Sequence, residues 1–287
     1  MPKKVNDLFN LEKVKHAVRD KAISVVDQVV GRYHREQAEH IARLERQVSE
    51  LREQLHNEIV HQGDRTRDRV LEFEIRHRRD IPFAADHEAA QESARFVHEQ
   101  MPTKPAFPHA HKTLEHALSM APTGGMALEF GVWQGTTLKI IATEREGQGV
   151  YGFDSFEGLP EDWRSGFPAG HFTVDGLPDV PGAELVVGWF DDTLPGFLEE
   201  HQGVVDFLHV DGDLYSSAKT VLDLVGPRLR EGSVILFDEF FNFPGWQNHE
   251  YKAWMEYVER TGVQFTYEGY TWNNEQVIAR VTKPGKH

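Results

Sequence analysis

Cysteine is absent from this chain of 287 residues, which excludes disulfides, thiolate nucleophiles and cysteine-based zinc sites. Long apolar runs are absent as well. Hydrophobic residues make up 39%, no stretch reaches the length needed to span a bilayer, and the opening MPKKVNDLFNLEKVKH lacks the uninterrupted apolar core of a signal peptide. A cytoplasmic protein is therefore expected. Positive charge is in short supply: the net charge is −15, whereas a nucleic-acid backbone calls for a basic surface, so nucleic acid is not expected as a partner.

Glycine and proline are scarce in one region only. Of 24 Gly and 14 Pro, residues 1–80 contain Gly31, Gly63 and Pro2. The same region holds 17 Lys and Arg against 15 Asp and Glu, while the remainder holds 14 against 31. A helical extension over 1–80 is expected, then a linker and helix over 81–107, then a turn-rich domain over 108–287. Within the extension, Ile41, Leu44, Val48, Leu51 and Leu55 alternate steps of three and four, with β-branched residues at a and Leu at d, the choice that favours parallel dimers. Such a seam packs either on its own domain or on a like helix; a homodimer or higher homo-oligomer is the expectation. Residues 8–30 (Leu8, Leu11, Val14, Val18, Ala22, Val25, Val29) form a second stripe, flanked by Lys3, Lys4, Lys13, Lys15, Arg19 and Lys21. That raises a membrane-surface helix, but Asp20 and Asp27 interrupt the basic face and no Trp or lipidation motif anchors it, which favours a partner helix.

From about residue 108 strands and helices alternate. GGMALEFG, GVYGFD, AELVVG, VVDFLHVD and GSVILFDE read as strands with helical stretches between them, which argues a mostly parallel sheet covered on both faces. VQFTYEG and EQVIARVT are joined too closely for a parallel crossover, so they form an antiparallel pair. Ligands of such sheets sit at the carboxyl ends of the strands, where Glu129, Asp154, Asp211, Asp213, Asp238 and Glu239 fall. The turn after the first of these strands, Glu129-Phe130-Gly131-Val132-Trp133-Gln134-Gly135-Thr136-Thr137, combines glycines with a helix N-terminus. Trp133 stands where the dinucleotide fingerprint has its second glycine. With Asp154 suited to ribose hydroxyls, the pattern fits an adenosine-containing cofactor and does not choose between NAD and S-adenosylmethionine.

LEFGVWQGTTL, VYGFDSFEGLPEDW, GWFDDTLPGFL, LHVDGDLYSS and GSVILFDEF, in this order and spacing, resemble the macrocin O-methyltransferase family. The resemblance spans roughly residues 108–282 and implies a Rossmann-like class I methyltransferase sheet ending in an antiparallel pair. It implies a cofactor turn of Glu129, Gly131, Val132, Gly135 and Thr136, Asp154 and Ser155 at the ribose, and Gly188, Trp189 and Phe190 near the adenine of S-adenosylmethionine. It further implies a magnesium-type ion on Asp211, Asp238 and Glu239, the last standing where the family has Asp, and Asp213 as general base toward a hydroxylated small-molecule acceptor. Oxygen donors without cysteine suit that ion. The residues alone leave another role for Asp213, as cap of the helix that follows. They also leave metal-independent methyl transfer, an NAD-dependent oxidoreductase, or a coiled-coil scaffold with a binding module. His209, inside its strand, reads as a hydrogen-bonded core histidine. Trp246, His249, Tyr251 and Trp254 read as an acceptor pocket or a packed helix face, the latter fitting Trp254 better.

Overall fold

A computed structural model describes residues 4–286, with side chains from residue 12 onward; the side chains of Leu8 and Leu11, and Lys3 altogether, lie outside the described residues. The chain divides into two compact units at Arg78/Arg79.

The first unit is one helix, α1, Lys4–Arg79. Its apolar stripe is exposed throughout: Val14, Val18, Val25, Val29, Tyr33, Ile41, Leu44, Val48, Leu51, Leu55, Ile59 and Val70 are 45–64% exposed. The heptad step holds only from Ile41 to Leu55. Over the longer span the apolar positions recur every roughly 3.7 residues, nearer the 11-residue repeat than the heptad. No helix among the described residues is long and apolar enough to cross a membrane.

The second unit opens with α2, Ile81–Gln100, which Asp80 starts by accepting the Phe83 N–H at 3.2 Å while Pro82 occupies the first turn. Asp80 is a favoured cap, and proline is tolerated in a first turn because its missing N–H has no intrahelical partner there. The remaining elements are β1 (Ala106–Phe107), α3 (Ala110–Met120), β2 (Met126–Phe130), α4 (Thr136–Glu144), β3 (Val150–Asp154), β4 (Glu184–Val187), α5 (Phe190–Glu200), β5 (Val205–Val210), α6 (Tyr215–Val225), β6 (Leu229–Phe237), α7 (Glu250–Thr261), β7 (Gln264–Thr271) and β8 (Val277–Lys283).

The sheet has eight strands in the order β1-β7-β8-β6-β5-β2-β3-β4. Strands β2 to β6 are mutually parallel, while β8 is antiparallel to both β6 and β7. This is the Rossmann-like sheet with a terminal antiparallel pair. Alternate residues of the buried strands feed two cores. Leu128, Leu208 and Ile235 join Leu222 of α6 and Trp254 of α7 on one face. Ala127, Phe207 and Val234 join Leu114 of α3 and Leu138 of α4 on the other. Helix α2 belongs to the first core through Ala89 and Phe96, and the Asn242 N–H donates to its Ser93 Oγ at 2.9 Å. The two-residue β1 pairs parallel with β7 and is too short for any periodic pattern to announce it.

Candidate active site

The carboxyl ends of β2, β3 and β5 surround a cavity of about 860 Å³, within the size range of small-molecule sites. At the end of β2 the chain turns sharply. Gly131 has φ 100°, and a Cβ there would lie 1.7 Å from the Asp211 carbonyl oxygen. Only glycine lets the two strand ends approach this closely. Trp133 follows in the left-handed region, at φ 46°, and Gly135, φ 74°, begins α4.

Asp154 fastens this turn. Its Oδ2 accepts the N–H groups of Val132 at 2.9 Å and Trp133 at 2.8 Å, and its Oδ1 accepts the Phe156 N–H at 2.7 Å. It also lines the cavity, with Gly131, Val132, Thr136, Ser155, Trp189 and Phe190. Gly135 and Gly188 stand behind this wall. A Cβ on Gly188 would lie 2.7 Å from Thr193 Cγ2, and its N–H donates to the Asp154 carbonyl at 3.0 Å. Glu129 does not reach the cavity: it is fully buried in β2, and its Oε1 lies 2.8 Å from His209 Nδ1. The aromatic face of the cavity is completed by Phe172, whose ring meets Trp133 edge-on at 5.6 Å.

The opposite wall is acidic. Asp211, Asp213 and Glu239 line it, with Asp238 at the end of β6. Burial pushes Asp211 and Glu239 well above the usual carboxylate range, and neighbouring acids push them further, chiefly Asp238 for the first and Asp213 for the second. Burial and the charge of Asp238 also raise Asp213, to about 7, against the opposing charge of Arg164. Asp238 itself is lowered: burial works to raise it, but His209, Gln276 and Glu239 outweigh that. So many buried acids repel one another, and His209 and Arg164 offset that only in part.

Among the described residues, His209, Asp211 and Asp238 each bring one ligand atom within 4.8 Å of the others. Glu239 is outside that group, although its Oε2 is buried with no hydrogen-bond partner. The two carboxylates of this group, with the unsatisfied Glu239 oxygen near them, are hard oxygen donors of the kind a magnesium-type ion takes, while the histidine nitrogen also suits a transition metal.

Asp213 adopts φ 60°, a left-handed conformation that Asp and Asn tolerate better than most residues. It does not cap α6. Leu214 occupies the cap position, with no side-chain hydrogen bond there.

Arg164, in the long connection between β3 and β4, is a cation whose charge is felt by Asp213. Its guanidinium lies 3.9 Å over the Trp163 ring and 4.8 Å from the Phe243 ring, and it pairs with Glu275 at 3.0 Å. Glu250, at the start of α7, is fully buried and accepts the Glu239 N–H on Oε2 at 3.0 Å. Gln276 donates to Asp238 Oδ2 at 3.1 Å. None of these three belongs to a motif; the only sequence signal was polar residues set among apolar and aromatic neighbours. Trp246, Tyr251 and Trp254 do not line the cavity. They pack edge-on or tilted in the core against Phe96, Phe237 and Phe240, Tyr251 and Trp254 from α7 and Trp246 from the turn before it.

Residues 128–240 match the family described as methyltransferase domain. Among curated proteins, the 8-demethyl-8-(2,3-dimethoxy-alpha-L-rhamnosyl)-tetracenomycin-C 4'-O-methyltransferase of Streptomyces olivaceus is 30% identical over 146 residues, which is 40% of this chain and 53% of that protein. The chain thus spans about half the length of the curated relative it matches. Among solved structures, a calicheamicin methyltransferase is 24% identical, covering 68% of this chain and 91% of that one, with a TM-score of 0.47. The O-methyltransferase NovP is 22% identical, covering 60% and 80%, with a TM-score of 0.46. Residues 128–240 are thus similar to a methyltransferase domain, and the chain is similar in part to an O-methyltransferase.

Proposed function

We propose that the chain is an S-adenosylmethionine-dependent O-methyltransferase that uses a divalent, magnesium-type ion and acts on a hydroxyl of a sugar or other natural-product acceptor. One observation carries this: a single cavity has a glycine turn with a strand-end acid on one wall and Asp211, Asp213 and Glu239 on the other. The name of the Streptomyces olivaceus relative, a 4'-O-methyltransferase of a rhamnosylated tetracenomycin, supports a sugar hydroxyl as the acceptor.

In this mechanism Gly131 and Val132 would bring backbone close to the cofactor, Asp154 and Ser155 would hold its ribose, and Trp189 and Phe190 would lie near its adenine. The cofactor supplies a methyl group on a sulfonium; the carbon–sulfur bond breaks with its electron pair staying on sulfur as the carbon–oxygen bond forms. Asp211 and Asp238 would hold the ion, with the free oxygen of Glu239 available as a third donor, and the ion would polarise the acceptor hydroxyl. Asp213 takes the hydroxyl proton. It lines the cavity, its side chain caps no helix, and its left-handed backbone holds it there. The exposed stripe of α1 supports association of like helices into a homo-oligomer, most simply a dimer.

The test is transfer of labelled methyl from S-adenosylmethionine to a panel of glycosylated and phenolic hydroxyl acceptors, with and without a chelator. Transfer to a sugar hydroxyl that a chelator stops and magnesium restores is expected. Transfer indifferent to the chelator would favour the metal-independent alternative.

A further inference from the structure

Two buried ionisable residues are not used by this mechanism. Glu129 on β2 and His209 on β5 stand directly opposite each other in the parallel register, in the middle of the sheet. Both are 0% exposed, and His209 Nδ1 lies 2.8 Å from Glu129 Oε1. Such a pair is poor at stabilising a fold, because the cost of removing it from water offsets the attraction between its members. A well-packed apolar pair would serve the sheet at least as well. Some other demand keeps these groups here.

The other ring nitrogen shows what it is. His209 Nε2 lies 3.5 Å from Asp238 Oδ1 and has no hydrogen-bond partner within normal reach, so this contact is a loose one. The second oxygen of Asp238 accepts from Gln276 at 3.1 Å, and Gln276 also donates to the Asp238 carbonyl at 3.2 Å. Asp238 is thus approached from inside the protein on both carboxylate oxygens. Its ligand atom is left within 4.8 Å of that of Asp211.

We infer that Glu129 and His209 are positioning residues of the metal site: Glu129 fixes the imidazole ring, and the ring orients the Asp238 carboxylate toward the ion. The inference rests on the metal-assisted reading above. It gives Glu129 a task other than contact with the cofactor. The rival is that His209 Nε2 is itself a ligand, with Glu129 holding the opposite nitrogen as carboxylates commonly do for metal-bound histidines. The contact with Asp238 argues against it. Nε2 lies 3.5 Å from Asp238 Oδ1, which sets that carboxylate beside the ring on the side away from Glu129.

Manganese binding to the full-length protein, followed by electron paramagnetic resonance of the free ion, tests this. Glu129→Gln and His209→Gln are compared with the wild type, with affinity for S-adenosylhomocysteine and thermal stability measured in parallel. Loss of an outer-shell partner weakens metal binding on the order of 10–100-fold, and that loss is expected in both variants while S-adenosylhomocysteine binding is retained. If the wild type binds no manganese, the metal reading itself fails and the inference with it. If wild type and folded variants bind manganese equally, the metal reading stands and only the inference falls. Should the variants not fold, spin-echo spectra of manganese-loaded wild type labelled with 15N-histidine still decide. A weak, remote histidine nitrogen coupling is expected; a directly bonded nitrogen, or no histidine coupling at all, overturns the positioning role.

Discussion

The Trp133 N–H donates to Asp154 Oδ2 at 2.8 Å, tying the tip of the β2–α4 turn to the end of β3. The Asp154 carboxylate therefore shapes this wall of the cavity as well as lining it. Asp154→Ala removes acceptors for three backbone N–H groups at once. S-adenosylmethionine binding is expected to weaken by about 1.5–3 kcal/mol, the range for charged hydrogen bonds, and thermal stability to fall with it. Asp154→Asn keeps one carbonyl acceptor and should fall between Ala and wild type. Calorimetry of the three proteins checks this, and unchanged affinity in Asp154→Ala would sink the assignment.

Gly131 gives a sterner test of the same turn. A methyl group at that position meets the Asp211 carbonyl oxygen, so β2 and β5 must separate at their carboxyl ends. Gly131→Ala should destabilise the domain by about 1–3 kcal/mol, as overpacking does, and should lower cofactor affinity and ion affinity together. Loss of one without the other would show that the turn and the acidic wall are independent.

Asp211 and Asp213 are two residues apart and should behave differently. Asp211→Asn is expected to weaken the ion's binding, and excess magnesium should restore part of the activity. Asp213→Asn should leave ion and cofactor affinities nearly intact while turnover falls on the order of 10²–10⁴-fold, the range for loss of a general base. Asn accepts the left-handed backbone of Asp213, so that change isolates the carboxylate from the strain. Near-normal turnover in Asp213→Asn would exclude it as the base.

The helix α1 predicts self-association. Full-length protein should run larger than a monomer in light scattering, and Leu44→Glu with Leu51→Glu, which puts charge into the exposed seam, should give a smaller species. A monomeric wild type at micromolar concentration would remove the seam's role.

The sheet was legible because buried parallel strands are continuous apolar runs and their ends are marked by acids: GGMALEFG, GVYGFD and VVDFLHVD are each apolar segments bounded by turns. The turn after β2 was legible through Gly131 and Gly135, which hold backbone conformations few other residues adopt. Glu129 was harder. Its position at the end of an apolar run suggested a ligand contact, but the parallel register sets it opposite His209, and register between strands far apart in sequence leaves no local trace. Trp246, Tyr251 and Trp254 followed the same rule, since an aromatic stripe looks alike whether it lines a cavity or packs on a sheet. Arg164, Glu250 and Gln276 act through partners distant in the chain, and their pairing exists only after folding. The heptad from Ile41 to Leu55 was visible as a local pattern, while the longer drift of the α1 stripe needs the whole helix to be counted.

Titration calorimetry with S-adenosylmethionine, S-adenosylhomocysteine and NAD, each against the full-length protein, tests the central claim most directly. Saturable binding of the first two at one molecule per chain, with none of NAD, is the predicted result. Binding of NAD, or of none of the three, would contradict it.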